Sequence, residues 1–408
     1  MKKATSRKTL HRYTRFCGID IAKRKHVACI IDQDGAFVAR SQAFNNDAEG
    51  YQRILARLKE AGGPKRVIIA MEATGHYWYS LHDFMVDHGY EVAVLNPIQT
   101  AQQAKKGIRK CKTDKIDARH IAIVVKNGEH RAALVPGELA MTCRQLTRLR
   151  YALVRQGARI KQLLWARLHP VWPEYEAIFA TPFCVTGRKL LATAPTPADV
   201  LALGEQPLAE LIHTTSRGMC GPARAEAVYN AALTSVGSRR GLDGARIAIR
   251  TLIRQMEALQ SIREQLEAEI EALIDQLPSY LLTLPGADPM SAVSIFGETD
   301  PIEAFATPSQ LVAFTGLDLV VFQTGDYGAP RRRISKRGSP TLRHTLWQMT
   351  HRACRKPGDL QDYCLRRQKA GLSYRSAVTA TAVKLCHVTW RILTDRRDYL
   401  PQRPNGNC

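Results

Sequence analysis

The stretch Phe16-Cys17-Gly18-Ile19-Asp20-Ile21 decides how the N-terminal part of this 408-residue chain folds. Its apolar residues predict a β-strand that carries a carboxylate, Asp20, near its end. A second apolar stretch, residues 27–32, follows at once, and the Asp34-Gly35 pair after it signals a hairpin. Residues 37–43 continue the pattern, so the sequence predicts three antiparallel strands in succession.

Helices and strands alternate after these three strands. The periodicity predicts a helix over 47–60, a buried strand over 66–71, a helix over 77–88 and a strand over 91–95. This order is typical of an RNase H-like α/β domain. In such a domain, acids on the central strand and at the end of a neighbouring strand converge.

Four carboxylates in three short motifs carry the main chemical signal. Asp20 lies in GIDIAK, Glu72 in MEATG, and Asp114 and Asp117 in KTDKIDAR. The i, i+3 spacing places the last two on one face of a helix predicted over 114–126. Magnesium prefers carboxylate oxygens, and two such ions can clamp a phosphodiester for in-line attack. The alternative for Asp114 and Asp117 is a helix N-terminus, where acids cap the chain and favour the dipole.

The charge of the chain points to a polyanionic partner. Its net charge is +22 and its pI is about 9.8, while 45% hydrophobic residues suffice for folded cores. Residues 331–408 hold 18 Lys or Arg against four Asp, a local net charge of +14. A basic tail that only contacts water is the alternative. The predicted phosphate contacts are Arg331, Arg332, Arg333, Lys336, Arg337 and Arg343.

Composition disfavours four classes of protein. No long uncharged apolar run is present, which argues against secretion and against a membrane span. Ten cysteines form no CxxC pair, which argues against a zinc ribbon or a disulfide framework. The expectation is a prokaryotic cytoplasmic protein with reduced thiols, associated with the nucleoid.

The second half of the sequence is mainly helical. A heptad of apolar residues over 249–277 favours a coiled coil and therefore a dimer or tetramer, with an amphipathic helix inside one chain as the alternative. The predicted domains are a catalytic domain with a basic N-terminal arm at 1–135, a helical linker at 136–278, and a C-terminal domain with a basic tail at 279–408.

With these motifs in place, the chain resembles the DEDD transposases of the IS110 insertion-sequence family, whose relatives include Piv-type DNA invertases. The N-terminal motifs are GIDIAK, MEATG, LNP and KTDKIDARHIA, and the C-terminal ones are LPG, LVAFTGL, QTG and ISKRGSPTLRHTLW. The resemblance implies a RuvC-like domain that binds Mg²⁺ through Asp20, Glu72, Asp114 and Asp117. It also implies a C-terminal transposase domain with a hydroxyl nucleophile, DNA as the substrate, and a guide RNA from the same element.

One residue departs from the family pattern. The family has serine before the glycine of the loop that follows the AFTGL helix, and this chain has Thr324. A threonine hydroxyl can attack phosphorus, although its β-branch restricts χ1 and crowds an in-line approach. Ser335 is an alternative nucleophile, and an enzyme impaired in strand exchange is a third possibility. The fourth possibility is that Thr324 is a turn residue with no chemical role.

Three functions remain open on sequence grounds. The first is a transposase or site-specific recombinase that forms a transient 5′-phosphothreonyl link through Thr324. The second is a RuvC-like junction nuclease, in which the acids activate water and no protein–DNA link forms. The third is a nucleic-acid-binding protein of the element without catalysis, such as a repressor.

Overall fold

The structure, a computed structural model, describes residues 12–72, 76–95, 113–128, 135–319, 323–324, 327–328 and 333–401. The chain divides into two compact units, Met1–Gly137 and Glu138–Cys408. Among the helices of these ranges, none combines the length and apolar character that crossing a membrane requires.

The first unit is built on one mixed five-stranded sheet. The strand order is β3-β2-β1-β4-β5, with β1, β2 and β3 antiparallel in succession and β4 and β5 parallel to β1. The order of elements confirms the sequence prediction, and the bounds differ from it by no more than two residues. The elements are β1 (Arg15–Asp20), β2 (Lys25–Asp32), β3 (Phe37–Asn45), α1 (Ala48–Glu60), β4 (Val67–Glu72), α2 (Tyr79–Asp87), β5 (Glu91–Leu95) and α3 (Asp114–Lys126).

Helices cover both faces of this sheet. On one face, β1 and β4 bury Ile19 and Met71 against α1 and α2. On the other face, Phe16 and Ile68 pack against the apolar side of α3. Alternate residues of a strand point to opposite faces, so one strand supplies both cores.

The second unit is mostly helical. Two strands of two residues each, β6 (Gln323–Thr324) and β7 (Tyr327–Gly328), form an antiparallel hairpin in the loop that follows the AFTGL helix. The helices are α4 (Glu138–Leu168), α5 (Tyr175–Ile178), α6 (Val185–Thr193), α7 (Pro197–Leu203), α8 (Glu205–Thr215), α9 (Pro222–Leu233), α10 (Leu242–Glu271), α11 (Pro289–Thr299), α12 (Pro308–Thr315), α13 (Pro340–Ala353), α14 (Asp359–Lys369) and α15 (Tyr374–Asp395), with 3₁₀ turns at Ile274–Gln276, Ser279–Thr283 and Ile302–Ala304.

The long helices α4 and α10 form an antiparallel pair. Gly157 of α4 lies opposite Leu259 of α10, while Arg150, earlier in α4, binds Glu267, later in α10, at 2.7 Å. Two separate hydrophobic cores lie at the ends of this pair. One joins the C-terminal half of α4 to the N-terminal half of α10, and the other joins the opposite halves to the helices after residue 278.

The apolar heptad stripe is therefore used inside the chain. Ile249, Met256 and Ile270 are buried, the first two in the core that α10 shares with α4. The predicted single helix over 249–277 was too long, because α10 ends at Glu271 and Leu277 is extended. Leu277 precedes Pro278, and a residue before proline is disfavoured in a helix. An oligomeric coiled coil stays a prediction, as does a separate linker domain within the second unit.

Candidate active site and nucleic-acid groove

Asp20 and Glu72 lie at equivalent ends of two neighbouring parallel strands. Ile19 of β1 pairs in register with Met71 of β4, so the two acids that follow are neighbours. Both are half-buried. Alternation along the strands places them on the sheet face that α3 covers.

Helix α3 approaches that face unusually closely at Gly18. A Cβ on Gly18 would lie 2.1 Å from the carbonyl oxygen of Ala118, a distance that no real side chain tolerates. The hydroxyl of Ser41 donates to the carbonyl of Lys115 at 3.0 Å, and Lys126 donates to the carbonyl of Gln33 at 3.3 Å. Because Gln33 follows the residue paired with Arg15, α3 runs antiparallel to β1, and its first turn lies at the Asp20 end.

The first turn of α3 carries the other two acids. Asp114 is exposed and Asp117 is half-buried. The N-cap of this helix is Thr113, whose hydroxyl accepts a hydrogen bond from the backbone N–H of Ile116. Neither aspartate is therefore needed as the cap, although both still favour the positive end of the helix dipole.

The four acids thus share one face and one edge of the sheet, but their side chains are not gathered. Within the described ranges, no three His, Cys, Asp or Glu side chains lie close enough together to hold a metal ion. The donor type nevertheless fits a hard divalent cation, because all four side chains offer carboxylate oxygens. Backbone placement and donor chemistry support a metal site here, whereas the side-chain positions do not form one.

A buried histidine fixes the chain that follows Asp20. The backbone N–H of Ala22 donates to Nδ1 of His26 at 3.2 Å, and His26 is fully buried. Burial lowers the pKa of His26, which keeps Nδ1 available as an acceptor. Sequence reasoning missed this contact, and the only signal was a histidine within an otherwise apolar strand.

The two predicted nucleophiles occupy different local structures. Thr324 ends β6, where its backbone pairs with Tyr327. Ser335 lies after the hairpin, and its hydroxyl donates to Oδ1 of Asp318 at 2.5 Å. A carboxylate in that position can accept the hydroxyl proton.

The predicted phosphate contacts, which we call the basic strip, are partly structural; they are Arg331, Arg332, Arg333, Lys336, Arg337 and Arg343. Arg333, Lys336 and Arg337 are exposed, whereas Arg343 donates to the carbonyl oxygen of Thr315 at 2.8 Å and stabilises the end of α12. Arg331 and Arg332 lie outside the described residues. Gly338 lies against the carbonyl of Phe314, where a Cβ would be only 1.8 Å from the oxygen. The Lys336-Arg337-Gly338 segment therefore packs against the end of α12.

An open groove of about 1100 Å³ lies beside this strip, formed by α4, α13, α14, α15 and the chain before α13. None of the described residues that line it is an Asp or Glu. Burial, followed by the charge of Arg150, lowers the pKa of His344 in its wall. We call this site the basic groove, and its cations and aromatic residues are Arg333, Lys336, Arg343, Arg367, Arg375, Tyr151, Trp347 and Tyr363.

Sequence reasoning missed most of the basic groove. It predicted Arg333, Lys336 and Arg343, but not Arg367 or Arg375. Each missed residue stands in a separate helix whose charge pattern is that of an ordinary solvated surface. The Ser335–Asp318 pair was also missed, because residues 17 positions apart come together only in the folded chain.

Comparison with known proteins finds two family matches. Residues 17–173 match a family model of DEDD transposases of the IS110 type, and residues 279–365 match a transposase model of the IS116/IS110/IS902 family. The four acids lie in the first matched range. Thr324, Ser335 and Arg343 lie in the second.

Individual relatives carry the same signal. A Streptomyces clavuligerus protein of insertion element IS116 is 26% identical, covering 95% of this chain and 96% of that protein. A candidate transposase of the IS117 mini-circle from Streptomyces coelicolor is 24% identical, covering 82% and 83%. The pilin gene-inverting protein of Moraxella bovis is 32% identical over 25% of this chain and 31% of its own length.

Proposed function

The chain belongs to the IS116/IS110/IS902 family of transposases, and we propose that it cuts and rejoins DNA by a magnesium-dependent transesterification that an RNA of the same element guides. It is an enzyme, a DNA transposase or recombinase. The observation that carries the detailed proposal is the common face and edge of the sheet shared by Asp20, Glu72 and the first turn of α3.

Asp20, Glu72, Asp114 and Asp117 are the residues that would hold the metal. Mg²⁺ bound there would polarise the scissile phosphate and stabilise charge on the leaving 3′ oxygen, with two ions as the favoured arrangement. Close packing at Gly18 fixes α3 on β1, and His26 fixes the chain after Asp20. These contacts would limit how far the four carboxylates must move to bind a cation.

Thr324 is the proposed nucleophile. Its Oγ attacks phosphorus, the bond from phosphorus to the 3′ oxygen breaks, and the hydroxyl proton leaves to solvent or a nearby base. The leaving 3′ oxygen takes up a proton from solvent, so the other strand ends in a 3′ hydroxyl, while the 5′ phosphate is linked to Thr324. Attack by a partner 3′ hydroxyl reverses the step and restores Thr324, so bond energy is conserved and no nucleotide cofactor is needed.

Ser335 is the second candidate nucleophile, and a specific observation favours it. Its hydroxyl already donates to Asp318 at 2.5 Å, which is the contact expected of a hydroxyl beside a general base. The same bond is also expected if Asp318 merely anchors the chain before α13, as the backbone bond from Ser335 to Asp318 at 2.8 Å does. A variant series is needed to separate the two roles.

The proposed partners are DNA at the element ends and target, a guide RNA, and further copies of the chain. The family supports DNA as the substrate. Guide RNA rests on the family resemblance. The heptad argument for a dimer or tetramer is weakened, because the buried stripe of α10 is occupied by other parts of the same chain.

The test is a denaturing gel of purified protein with Mg²⁺, labelled element-end DNA and RNA transcribed from the flanks of the element. We expect a covalent protein–DNA band in the wild type and in Thr324→Ser, which keeps the hydroxyl. We expect no band in Thr324→Val, which keeps the shape of threonine, or in Asp20→Asn and Glu72→Gln. Asp87→Asn is the matched carboxylate control, because Asp87 is exposed at the end of α2.

Each departure from that pattern has a defined meaning. A band that survives Thr324→Val but is lost in Ser335→Ala moves the nucleophile to Ser335. Cleaved DNA with free 5′ phosphates and no covalent band would favour a RuvC-like hydrolytic nuclease. Recombination that persists in Glu72→Gln would contradict the metal assignment.

A further inference from the structure

We propose that the basic groove binds an unpaired stretch of nucleic acid, with bases against its aromatic rings and phosphates on its cations. This inference rests on the proposed function, since it assigns part of the nucleic acid to a surface of the second unit. It goes beyond the predicted strip, because the residues that define the groove come from α4, α13, α14 and α15 as well.

The charge of the groove is uncompensated. Its five cations include Arg367 and Arg375, and none of the five forms an ion pair with a carboxylate that the structure describes. No described lining residue is acidic either. A cavity lined by one sign of charge concentrates the opposite charge, and phosphodiesters carry one negative charge at each link.

Aromatic rings stand among these cations. Arg367 donates two hydrogen bonds to the hydroxyl of Tyr363, at 3.0 and 2.7 Å, and its Cζ lies 5.0 Å from the ring centroid. Trp347 stacks on His351 with ring planes only 7° apart. Tyr151 enters from α4 and contacts His344 at a centroid distance of 5.2 Å. Alternating aromatic and cationic side chains are the usual lining of a channel for single strands.

The lining of the groove argues against a duplex as its ligand. A duplex presents phosphates and groove edges, while its base faces are stacked on each other and cannot reach Tyr363 or Trp347. Unpaired bases expose those faces, so the rings give the groove a preference for single strands.

The experiment measures binding of the full-length protein to a labelled oligonucleotide of about 12 nucleotides, a length within the site sizes of single-strand binders. Fluorescence anisotropy is recorded for single-stranded RNA, single-stranded DNA of the same sequence, and the DNA duplex. The variants are Tyr363→Leu, which removes a ring, and Arg367→Gln with Arg375→Gln, which removes two charges. Arg355→Gln is the matched control, because Arg355 is exposed in the same region and does not line the groove.

We expect Tyr363→Leu to weaken single-strand binding by roughly tenfold with an unchanged salt dependence, and to leave duplex binding nearly unchanged. The double arginine variant should weaken single-strand binding and reduce the slope of log affinity against log salt by about 1.4, or about 0.7 for each lost phosphate contact. Arg355→Gln should change neither quantity by more than about twofold. Tighter binding of RNA than of DNA would assign the groove to the RNA, and the reverse order to a displaced DNA strand.

The inference is overturned if both groove variants, folded by circular dichroism, bind single strands as the wild type does. It is also overturned if they lose single-strand and duplex binding equally. Its failure is distinguishable from failure of the proposed function. Asp20→Asn should abolish strand cleavage and leave single-strand binding intact, so cleavage reports on the acids and anisotropy reports on the groove.

Discussion

Gly18 is the residue on which the placement of the acids depends most directly. A methyl group at this position would meet the backbone of α3, which cannot move aside as a side chain can. We expect Gly18→Ala to reduce the free energy of unfolding by about 2 kcal/mol or more and to reduce strand cleavage, because α3 carries Asp114 and Asp117. Thermal or urea unfolding measures the first effect.

Gly244→Ala is the control for that substitution. Gly244 is exposed in the first turns of α10, and a Cβ there meets nothing within 4 Å. Alanine favours a helix over glycine by up to about 1 kcal/mol, so this variant should be as stable as the wild type or more so. Equal stability of Gly18→Ala and the wild type would contradict the close approach of α3 to β1.

At the residue scale, the sequence identified the four acids but not the residues that position them. Asp20 and Glu72 stand out because a carboxylate ends an apolar strand, and the register of β1 with β4 brings them together. The roles of His26 and Gly18 depend on contacts with the chain after Asp20 and with α3. Neither contact leaves a pattern in the sequence, since a histidine or glycine in a strand has many ordinary explanations.

At the element scale, α4 carries two arginines that differ in what they bind. Arg148 makes a bidentate contact with Glu298, at 2.6 and 3.0 Å, and the side chain of Glu298 is 0% exposed. Arg150 binds Glu267, which is 26% exposed. We expect Arg148→Ala to cost about 3–5 kcal/mol, because it leaves a buried charge unpaired. Arg150→Ala should cost about 0–1 kcal/mol.

Urea unfolding of the two single variants measures this difference directly. The double variant Arg148→Ala with Glu298→Gln should be more stable than Arg148→Ala alone, since the buried charge is gone. Similar costs for both single variants would contradict the argument that Arg148→Ala leaves a buried charge on Glu298 unpaired.

Elements were predicted well where their signal is local. The three antiparallel strands and α3 follow from alternation and helical spacing within a few residues of chain. The end of α10 was misjudged, because the heptad continues into residues that Pro278 keeps out of the helix. The sequence of α10 does not specify which surface packs on its heptad stripe, since any apolar surface would bury these residues.

At the scale of the whole molecule, net charge governs nucleic-acid binding. A chain of net charge +22 should bind DNA largely through release of counterions. We expect affinity for element-end DNA to fall by at least about tenfold between about 50 and 200 mM salt. Anisotropy titrations at several salt concentrations measure the slope, with sucrose at matched osmolality as the control.

An affinity that does not change over this range would contradict phosphate contacts by the C-terminal region.

The existence of a basic surface was predictable from composition alone. The basic groove was not, because Tyr151 and Arg375 are more than two hundred residues apart in the sequence and line the same groove only through the packing of four helices.

The antiparallel pair of α4 and α10 also has a mechanical consequence. A helix of 31 residues is about 46 Å long, and two such helices packed side by side resist bending far better than one. The pair acts as a strut that holds its two terminal cores at a set separation. A tilt of about 5° at one end displaces the other end by about 4 Å. A small rotation of one core would therefore move the other core by more than the length of a hydrogen bond.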